Sequence, residues 1–296
     1  MLGDMTSTHN LCSDAYLHGD PEPLPGTAKQ ESVYVLFEQP GRWSHDIMDG
    51  HTFGEELTAQ LKAKMKGQAG LQLIRLPGRE GRDVGKLHRC YLVWAKEQVM
   101  ELLLLEKPED MLDLDLTGPG RNGGEPVDTP LVLVCTHAKR DQCCAIKGRP
   151  LAAALNEEFP GKMVWEASHM KGHRFAPTLL LMPWAYSFGR LNEEAARQMT
   201  RAALRGEMFV PANRGSGLLP PRGQVAELAV AAMITGLHYG ELEVVDPGEG
   251  AVTVRHPDGR AWRVTLTQRE VYGIVSSCGD EPKTSQAWVA DSVEAL

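Results

Sequence analysis

The stretch PLVLVC at residues 130–135 is a short, continuous apolar run, which is typical of a strand buried on both faces of a sheet. Residues 144–159 predict a helix, although Gly148 and Pro150 place its expected start as late as Pro150. Residues 163–167 predict a second strand. This β-α-β order predicts an α/β fold in which the two strands are parallel.

A similar pattern precedes this stretch. Residues 32–39 and 71–76 predict two strands on either side of a helix at 53–66, whose apolar residues stand four apart. Residues 87–95 predict another strand, and residues 98–105 fit either a strand or a helix. The chain is therefore expected to contain two α/β units, and their shared β-α-β order allows two structurally related halves.

Two further helices are predicted in the second unit. Asn192 is expected to cap a helix that runs to about Leu204, because the acidic Glu193 and Glu194 follow it and favour the positive end of the helix dipole. Residues 224–237 predict the other helix.

Composition divides the rest of the chain. Residues 117–129 (TGPGRNGGEPVDT) are dense in Gly, Pro and polar residues, which is typical of a linker. Near the end, apolar and polar residues alternate around a turn at 257–259 and predict a β-hairpin. The predicted organisation is an irregular arm, a first α/β unit, a linker, a second α/β unit and a β-rich tail, at residues 1–30, 31–116, 117–129, 130–240 and 241–296.

Charge and hydropathy limit the classes of function. The chain has 31 basic and 39 acidic residues and a net charge of −8, so nucleic acid is a poor partner, whereas a basic redox partner is compatible. The sequence shows neither a bilayer-spanning apolar run nor a secretory signal, so we expect a cytoplasmic protein without membrane insertion. Its six cysteines are then expected to be thiols or metal ligands.

The residues that suggest chemistry lie in two short segments. CTHAKRDQCC occupies residues 135–144, and SHMKGHRF occupies residues 168–175. Each segment follows a predicted strand of the same β-α-β unit, so both are expected at one carboxyl edge of the sheet. Thiolates and imidazoles bind both zinc and iron–sulfur clusters, so residue type alone leaves the metal open.

Spacing favours the cluster. Structural zinc sites usually pair cysteines two to four residues apart, whereas eight residues separate Cys135 from Cys144. Gly172 lacks a Cβ and would let the backbone approach an inorganic group closely. Positive charge, which raises the reduction potential of an anionic cluster, is available from Lys139, Arg140, Lys171 and Arg174.

Two metal-site signatures are incomplete in this segment. His169 and His173 have the spacing of the HExxH zinc motif, but Met170 stands where that motif has its glutamate. Cys135 and His137 form a C-x-H pair like the first half of a Rieske motif, whose second half is missing. We therefore expect His137 beside the ligands and not among them.

The other cysteines have simpler interpretations. No Cys-x-x-Cys motif is present, although the vicinal Cys143 and Cys144 would allow thiol chemistry without a metal. Cys90 and Cys278 are expected to be core or incidental thiols, and Cys12 has no visible partner.

The runs CTHAKRDQCC, WEASHMKGHRFAPT and LLMPWAYSFGRL, at residues 135–144, 165–178 and 180–191, resemble the sucrase/ferredoxin-like family. These proteins are related to thioredoxin-like [2Fe–2S] ferredoxins in which histidines replace two of the four cysteine ligands. The resemblance extends over nearly the whole chain and implies that residues 130–240 form a thioredoxin-like ferredoxin domain.

The resemblance also implies the ligand set. Cys144 is favoured over Cys143, because the second ligand of the family lies three residues after the motif aspartate, here Asp141. The implied ligands of a [2Fe–2S] cluster are Cys135, Cys144, His169 and His173. The residues expected close to them are His137, Arg140, Cys143, Lys171 and Arg174.

These observations predict an electron-transfer protein more readily than a catalyst. One iron would be held by the two cysteines and the other by the two histidines, and the imidazoles would allow coupling to protons. The expected partner is a redox protein of unknown identity. A structural zinc-binding interaction module and a metal-free thiol-redox enzyme remain as alternatives.

Overall fold

A computed structural model describes residues 11–18, 21–83 and 85–296. Much of the predicted arm, residues 1–10 and 19–20, lies outside the described residues. Within the arm, Cys12–His18 forms a 3₁₀ helix. The predicted α/β class is confirmed, because helices accompany one ten-stranded mixed sheet and one four-stranded antiparallel sheet.

The described residues form four α-helices and fourteen strands. The helices are α1 (Glu55–Met65), α2 (Gln142–Glu158), α3 (Glu193–Leu204) and α4 (Pro221–Ala231). The large sheet contains β1 (Val33–Glu38), β2 (Gly70–Arg75), β3 (His88–Trp94), β4 (Val99–Leu105), β5 (Glu125–Pro126), β6 (Leu131–Cys135), β7 (Val164–Ala167), β8 (Thr178–Met182), β9 (Tyr186–Gly189) and β10 (Asn213–Ser216). The small sheet contains β11 (Glu243–Val245), β12 (Val252–Arg255), β13 (Ala261–Ile274) and β14 (Lys283–Ala295).

The large sheet has the strand order β10-β9-β8-β6-β7-β2-β1-β3-β4-β5. β1 is parallel to β2, and β6 is parallel to β7, as the β-α-β patterns predict. On the side away from β2, β1 pairs antiparallel with β3, and on the side away from β7, β6 pairs antiparallel with β8. β3 and β8 pair in turn with β4 and β9. The two halves therefore repeat one strand order, while the thioredoxin-like assignment of the second half stays a prediction.

The two halves join where β2 pairs antiparallel with β7. This pairing places Arg75 opposite Glu166, and their side chains form an ion pair of 2.7 Å. The predicted linker at 117–129 contains β5, which extends the sheet beside β4. One continuous sheet thus runs through both predicted units, and their division into domains stays a prediction.

Helix α2 begins earlier than the sequence suggests. It starts at Gln142, so the late start at Pro150 is wrong. The Asp141 carboxylate accepts a hydrogen bond of 2.9 Å from the backbone N–H of Cys143 and caps the first turn. Pro150 lies inside the helix, where its missing N–H removes one backbone hydrogen bond without ending the helix.

The later helices follow the predictions in part. The Asn192 side chain accepts a hydrogen bond from the first turn of α3, as predicted. Helix α4 is shifted relative to the predicted 224–237. It begins at Pro221, because proline suits a first turn in which its missing N–H costs nothing. It ends at Ala231, and the chain then turns at Gly236, which has a φ of +74°.

Helices cover the faces of the large sheet. Helix α1 contributes Leu57 and Leu61 to a core on the first half. Helices α2 and α3 contribute Leu155 and Met199 to a core on the second half. Within the described part of the chain, no helix is both long enough and apolar enough to cross a bilayer.

The tail forms the small sheet, in the order β11-β12-β13-β14. The predicted turn at 257–259 joins β12 to β13 and places Val254 opposite Trp262. Helix α4 packs Val225 and Val230 against this sheet. The predicted β-hairpin is therefore present, and two further strands extend it.

Candidate metal centre

The four predicted ligands gather at one edge of the large sheet. Cys135 is the last residue of β6, and Cys144 lies in the first turn of α2. His169 lies in the loop after β7, and His173 begins a 3₁₀ helix, His173–Phe175. Because β6 and β7 are adjacent and parallel, the segments that follow them meet at their carboxyl edge.

Three of these residues form a compact donor group. The Sγ atoms of Cys135 and Cys144 and a ring nitrogen of His169 all lie within 4.8 Å of one another. The ring of His173 stands beside that of His169, with centroids 5.0 Å apart, but outside the compact group. His169 is half-buried, whereas the other three side chains are buried. Cys143 belongs to a different group, and the assignment of Cys144 as a ligand stays a prediction.

Both histidines carry a buried nitrogen without a conventional hydrogen bond. Within the described residues, Nδ1 of His169 and Nδ1 of His173 make no such bond, although the His169 ring interacts with the Cys135 thiol and the His173 ring with the Ser276 backbone. A buried polar group that is left unpaired costs about 1–3 kcal/mol. Nε2 of His173 lies 2.8 Å from the Ser277 hydroxyl and 3.7 Å from Oδ2 of Asp141. Burial lowers the pKa of His173 and favours the neutral imidazole that binds metals.

The two thiols of the compact group are electrostatically coupled. Hydrogen bonding from the Cys144 thiol is the main cause that lowers the pKa of Cys135, and His169 contributes in the same direction. The same contact raises the pKa of Cys144. The contact therefore favours the proton on Cys144 over Cys135, and a metal that bound both sulfurs would displace it.

Gly148 sets the distance between β6 and α2. A Cβ at this position would lie 2.1 Å from the carbonyl oxygen of Cys135, where no side chain fits. Since β6 carries Cys135 and α2 carries Cys144, this glycine lets the two thiols approach each other.

His137 supports the loop that carries His169. Its Nε2 donates to the carbonyl oxygen of Ser44 at 2.6 Å, and its Nδ1 accepts from the backbone N–H of His169 at 3.2 Å. Burial lowers the pKa of His137 and keeps the ring neutral, as an accepting nitrogen requires. These contacts engage both nitrogens of His137 in holding the ligand loop.

The N-terminal half also holds this loop. The backbone N–H of Ser168 donates to the carbonyl oxygen of Leu73 at 2.8 Å, and the Leu73 N–H donates to the Ser168 hydroxyl at 3.0 Å. The same hydroxyl donates to Oε1 of Gln72 at 3.0 Å. The N-terminal half, which contains none of the predicted ligands, thus positions the residue before His169.

The predicted cations lie in different environments. Arg174 forms a double ion pair with Glu22, with N–O distances of 2.6 and 2.7 Å, so its charge is balanced locally. Lys139 is exposed. Arg140 and Lys171 line an open groove that also contains His169.

Arg214 is a buried cation that sequence analysis missed. Its guanidinium donates to the Thr27 hydroxyl at 3.0 Å and to the Lys171 carbonyl at 3.2 Å. Gly172 has a φ of +83°, and a Cβ there would lie 2.5 Å from this guanidinium. The close approach expected of Gly172 is therefore made to Arg214. No short sequence motif could indicate the role of Arg214, because its partners Thr27 and Lys171 lie 187 and 43 residues away.

The groove beside His169 is predominantly basic. It encloses about 430 Å³ and lies partly against α1. Its cationic side chains are Lys29, Lys62, Lys66, Arg140 and Lys171. Its carboxylates are Glu31 and Asp46, of which Glu31 pairs with Lys29 at 3.2 Å. The local charge is thus positive, although the chain as a whole carries −8.

A second donor group surrounds the start of α2. One donor atom each from Cys12, Asp141, Cys143 and Cys278 lies within 4.8 Å of the others. Cys12 comes from the N-terminal 3₁₀ helix, and Cys278 from the loop between β13 and β14. Cys12 therefore has partners that the sequence did not reveal, and Cys278, expected to be a core or incidental thiol, is partly buried against the cluster of Cys12, Cys143 and Ala176. Local sequence could not reveal that both segments fold back onto Cys143.

Fold and donors together define a mixed α/β protein with Cys/His groups that could hold a metal ion. The model of the family described as sucrase/ferredoxin-like matches residues 24–215, and the chain belongs to this family. The match includes all four predicted ligands but neither Cys12 nor Cys278. No curated protein and no solved structure matches the chain.

Proposed function

We propose that this chain is an electron-transfer protein that holds a [2Fe–2S] cluster through Cys135, Cys144, His169 and His173. The observation that carries the proposal is the pair of buried Nδ1 atoms that make no conventional hydrogen bond, on two histidines beside two mutually coupled thiols. Buried polar atoms normally have partners. A bound metal group would provide partners for both nitrogens.

The donor arrangement fits a group with two metal atoms. Cys135, Cys144 and His169 are close enough to share one ion, whereas His173 stands beyond their common reach. A single tetrahedral ion would therefore leave Nδ1 of His173 without a partner. Thiolates and imidazoles are also the side chains that ligate [2Fe–2S] clusters of mixed type.

A bound [2Fe–2S] cluster supplies reversible one-electron chemistry, at a higher potential when imidazoles replace thiolates. The protein orients one imidazole through Ser277, which contacts Nε2 of His173 at 2.8 Å. It exposes the other, since His169 lines the groove. We propose that the imidazole ligands would allow electron transfer to be coupled to protons.

The same groove is the proposed place of electron exchange. Its cationic lining favours an acidic redox protein or an anionic reductant. This local charge argues against the basic partner that the net charge alone suggests. All six cysteines are free thiols, and we propose a reducing, cytosol-like compartment for the protein.

A zinc-binding interaction module is the second candidate for this site. The compactness of the Cys135, Cys144 and His169 group favours it, because three such donors and a water complete a tetrahedral zinc site. A thiol-redox enzyme that uses Cys143 and Cys144 has less support, because the two thiols belong to different donor groups.

Iron, acid-labile sulfide and zinc are to be quantified on protein purified anaerobically, together with absorption and electron paramagnetic resonance spectra. We expect two irons and two sulfides per chain, a reddish-brown colour and a paramagnetic signal on reduction. Their loss in Cys144→Ala, but not in Cys90→Ala, would assign the site. A colourless protein without iron or sulfide after anaerobic reconstitution would refute the proposal.

A further inference from the structure

We propose that Cys12, Cys143, Cys278 and Asp141 form a second metal site that holds a single Zn²⁺ ion. This site is separate from the proposed cluster ligands, although the two sites meet at the peptide bond between Cys143 and Cys144.

The three sulfur atoms are already close to the spacing that one ion requires. Sγ of Cys143 lies 3.4 Å from Sγ of Cys12 and 3.2 Å from Sγ of Cys278. With zinc–sulfur bonds of about 2.3 Å, two thiolates on one tetrahedral ion stand roughly 3.8 Å apart. Shifts of about half an ångström would therefore suffice. A four-iron cluster would need larger movements, because each sulfur would bind a different iron.

Asp141 completes the set of four donors. Its Oδ1 lies 3.2 Å from Sγ of Cys278, and its Oδ2 lies 3.7 Å from Sγ of Cys12. The two oxygens also accept backbone N–H groups of Cys143 and Cys278, at 2.9 and 2.8 Å. Each carboxylate oxygen has a second lone pair, so these bonds fix the carboxylate and leave it able to bind a cation.

Zinc uses all the donors, whereas a disulfide does not. A disulfide could join Cys143 to Cys12 or to Cys278, but it would leave the remaining thiol unused beside a carboxylate. Three thiolates and one carboxylate around a divalent ion form the tetrahedral, sulfur-rich set that zinc prefers. The backbone N–H of Cys12 already donates to Sγ of Cys278 at 3.4 Å, a bond that stabilises a thiolate. Zinc binding would release the thiol protons to solvent.

The site connects segments that are remote in sequence. Cys12 and Cys278 are separated by 266 residues, and the start of α2 lies between them. Ser277, next to Cys278, contacts Nε2 of His173. An ion here would fix the loop between β13 and β14 and thereby the partner of one proposed cluster ligand. We therefore assign the ion a structural role.

The test measures metals on the full-length protein after growth with added zinc and removal of loosely bound metal by gel filtration. Cys278→Ala is compared with Cys90→Ala, which also removes one thiol but lies in β3, away from both donor groups. Competition with a chromophoric zinc chelator measures affinity. Circular dichroism and the cluster spectrum show that each variant is folded.

We expect one zinc per wild-type and Cys90→Ala chain, with affinity lowered at least about tenfold in Cys278→Ala. Cys12→Ala should behave in the same way if Cys278→Ala proves unstable. In Cys144→Ala, iron and sulfide should be lost while zinc is retained, which separates this site from the cluster. The proposal would be overturned if folded wild type contained no zinc, or if Cys278→Ala and Cys90→Ala contained equal zinc. It would also be overturned if the denatured, metal-free wild type had only four reactive thiols, because two of its six cysteines would then form a disulfide.

Discussion

Oδ2 of Asp141 lies 3.7 Å from Nε2 of His173, and the same carboxylate contacts the thiol of Cys278 at 3.2 Å. One aspartate thus borders both donor groups while it caps α2. Its charge is positioned to influence a redox centre held by His173, because a nearby anion disfavours the reduced state.

Asp141→Asn is expected to raise the reduction potential of the proposed cluster. Removal of one negative charge stabilises the added electron by on the order of 1 kcal/mol, which corresponds to on the order of 50 mV. Asparagine also caps helices, so the start of α2 should persist, while zinc content should fall because the proposed second site loses one ligand. Redox titration followed by absorption is the measurement. An unchanged or lower potential would contradict this role of Asp141.

His169→Cys is expected to lower the potential. A thiolate adds negative charge where a neutral imidazole stood, and mixed-ligand clusters lie on the order of 100 mV or more above all-cysteine clusters. The matched control is His45→Cys, because His45 lines the same groove without belonging to the donor group. Equal potentials in the two variants would argue against His169 as a ligand.

Gly148→Ala is expected to destabilise the fold and the metal site together. The added Cβ would collide with the Cys135 carbonyl, and overpacking of this kind costs about 1–3 kcal/mol or more. Gly223→Ala in α4 is the control, because its Cβ would meet only ordinary contacts of 3.4 Å. That change should be neutral or stabilise by up to about 1 kcal/mol. Denaturant unfolding and iron content test both expectations.

The double variant Lys62→Glu/Lys66→Glu is expected to slow reduction by dithionite, an anion, several-fold at low ionic strength. The cationic groove would otherwise attract the reductant, and salt screens this attraction within about 10 Å at 0.1 M. Reduction by a cationic viologen radical should become faster. Stopped-flow rates measure both effects, with Lys283→Glu in the exposed tail as control. If the double variant and wild type were reduced at the same rate by dithionite and also by the viologen radical, the groove would be excluded as the route of electron entry.

Glu227→Gln is expected to remove a pH dependence of stability. Burial raises the pKa of Glu227 to about 7, and the carboxyl accepts a hydrogen bond of 2.7 Å from Tyr186. Because the folded state favours the protonated form, this stabilisation is present below pH 4.5 and is lost as the pH rises to about 7. Relative to the variant, the free energy of unfolding of wild type should fall by up to about 3 kcal/mol over this pH interval. Thermal unfolding at several pH values measures the difference, and parallel curves would contradict the assignment.

Local patterns predicted the elements around the site better than their assembly. The apolar run before Cys135 and the strand before His169 follow from burial on both faces, and their parallel pairing follows from the helix between them. The start of α2 escaped prediction, because the capping bond of Asp141 outweighed the signals of Gly148 and Pro150. This cap is local, since Asp141 bonds to the backbone two residues ahead, and it is the same kind of signal that predicted the Asn192 cap of α3.

Contacts between residues far apart in sequence account for the features of the fold and the site that could not be predicted. The continuous sheet depends on a short antiparallel pairing between β2 and β7, which neither strand encodes by itself. Arg214 bonds to Thr27, 187 residues away, and the Cys12–Cys143–Cys278 group joins residues more than a hundred positions apart. A single sequence contains no periodicity that reports such distances. The ligand set itself came from a family resemblance and not from spacing.

The bonds between Ser168 and Leu73 carry a consequence for biosynthesis. A ribosome releases the chain from its N-terminus, so Cys135 and Cys144 emerge before His169 and His173. The loop that carries His169 gains the bonds between Ser168 and Leu73 only when β7 pairs with β2 of the N-terminal half. Cys278 emerges later still. We therefore expect cluster insertion to be a late event in maturation.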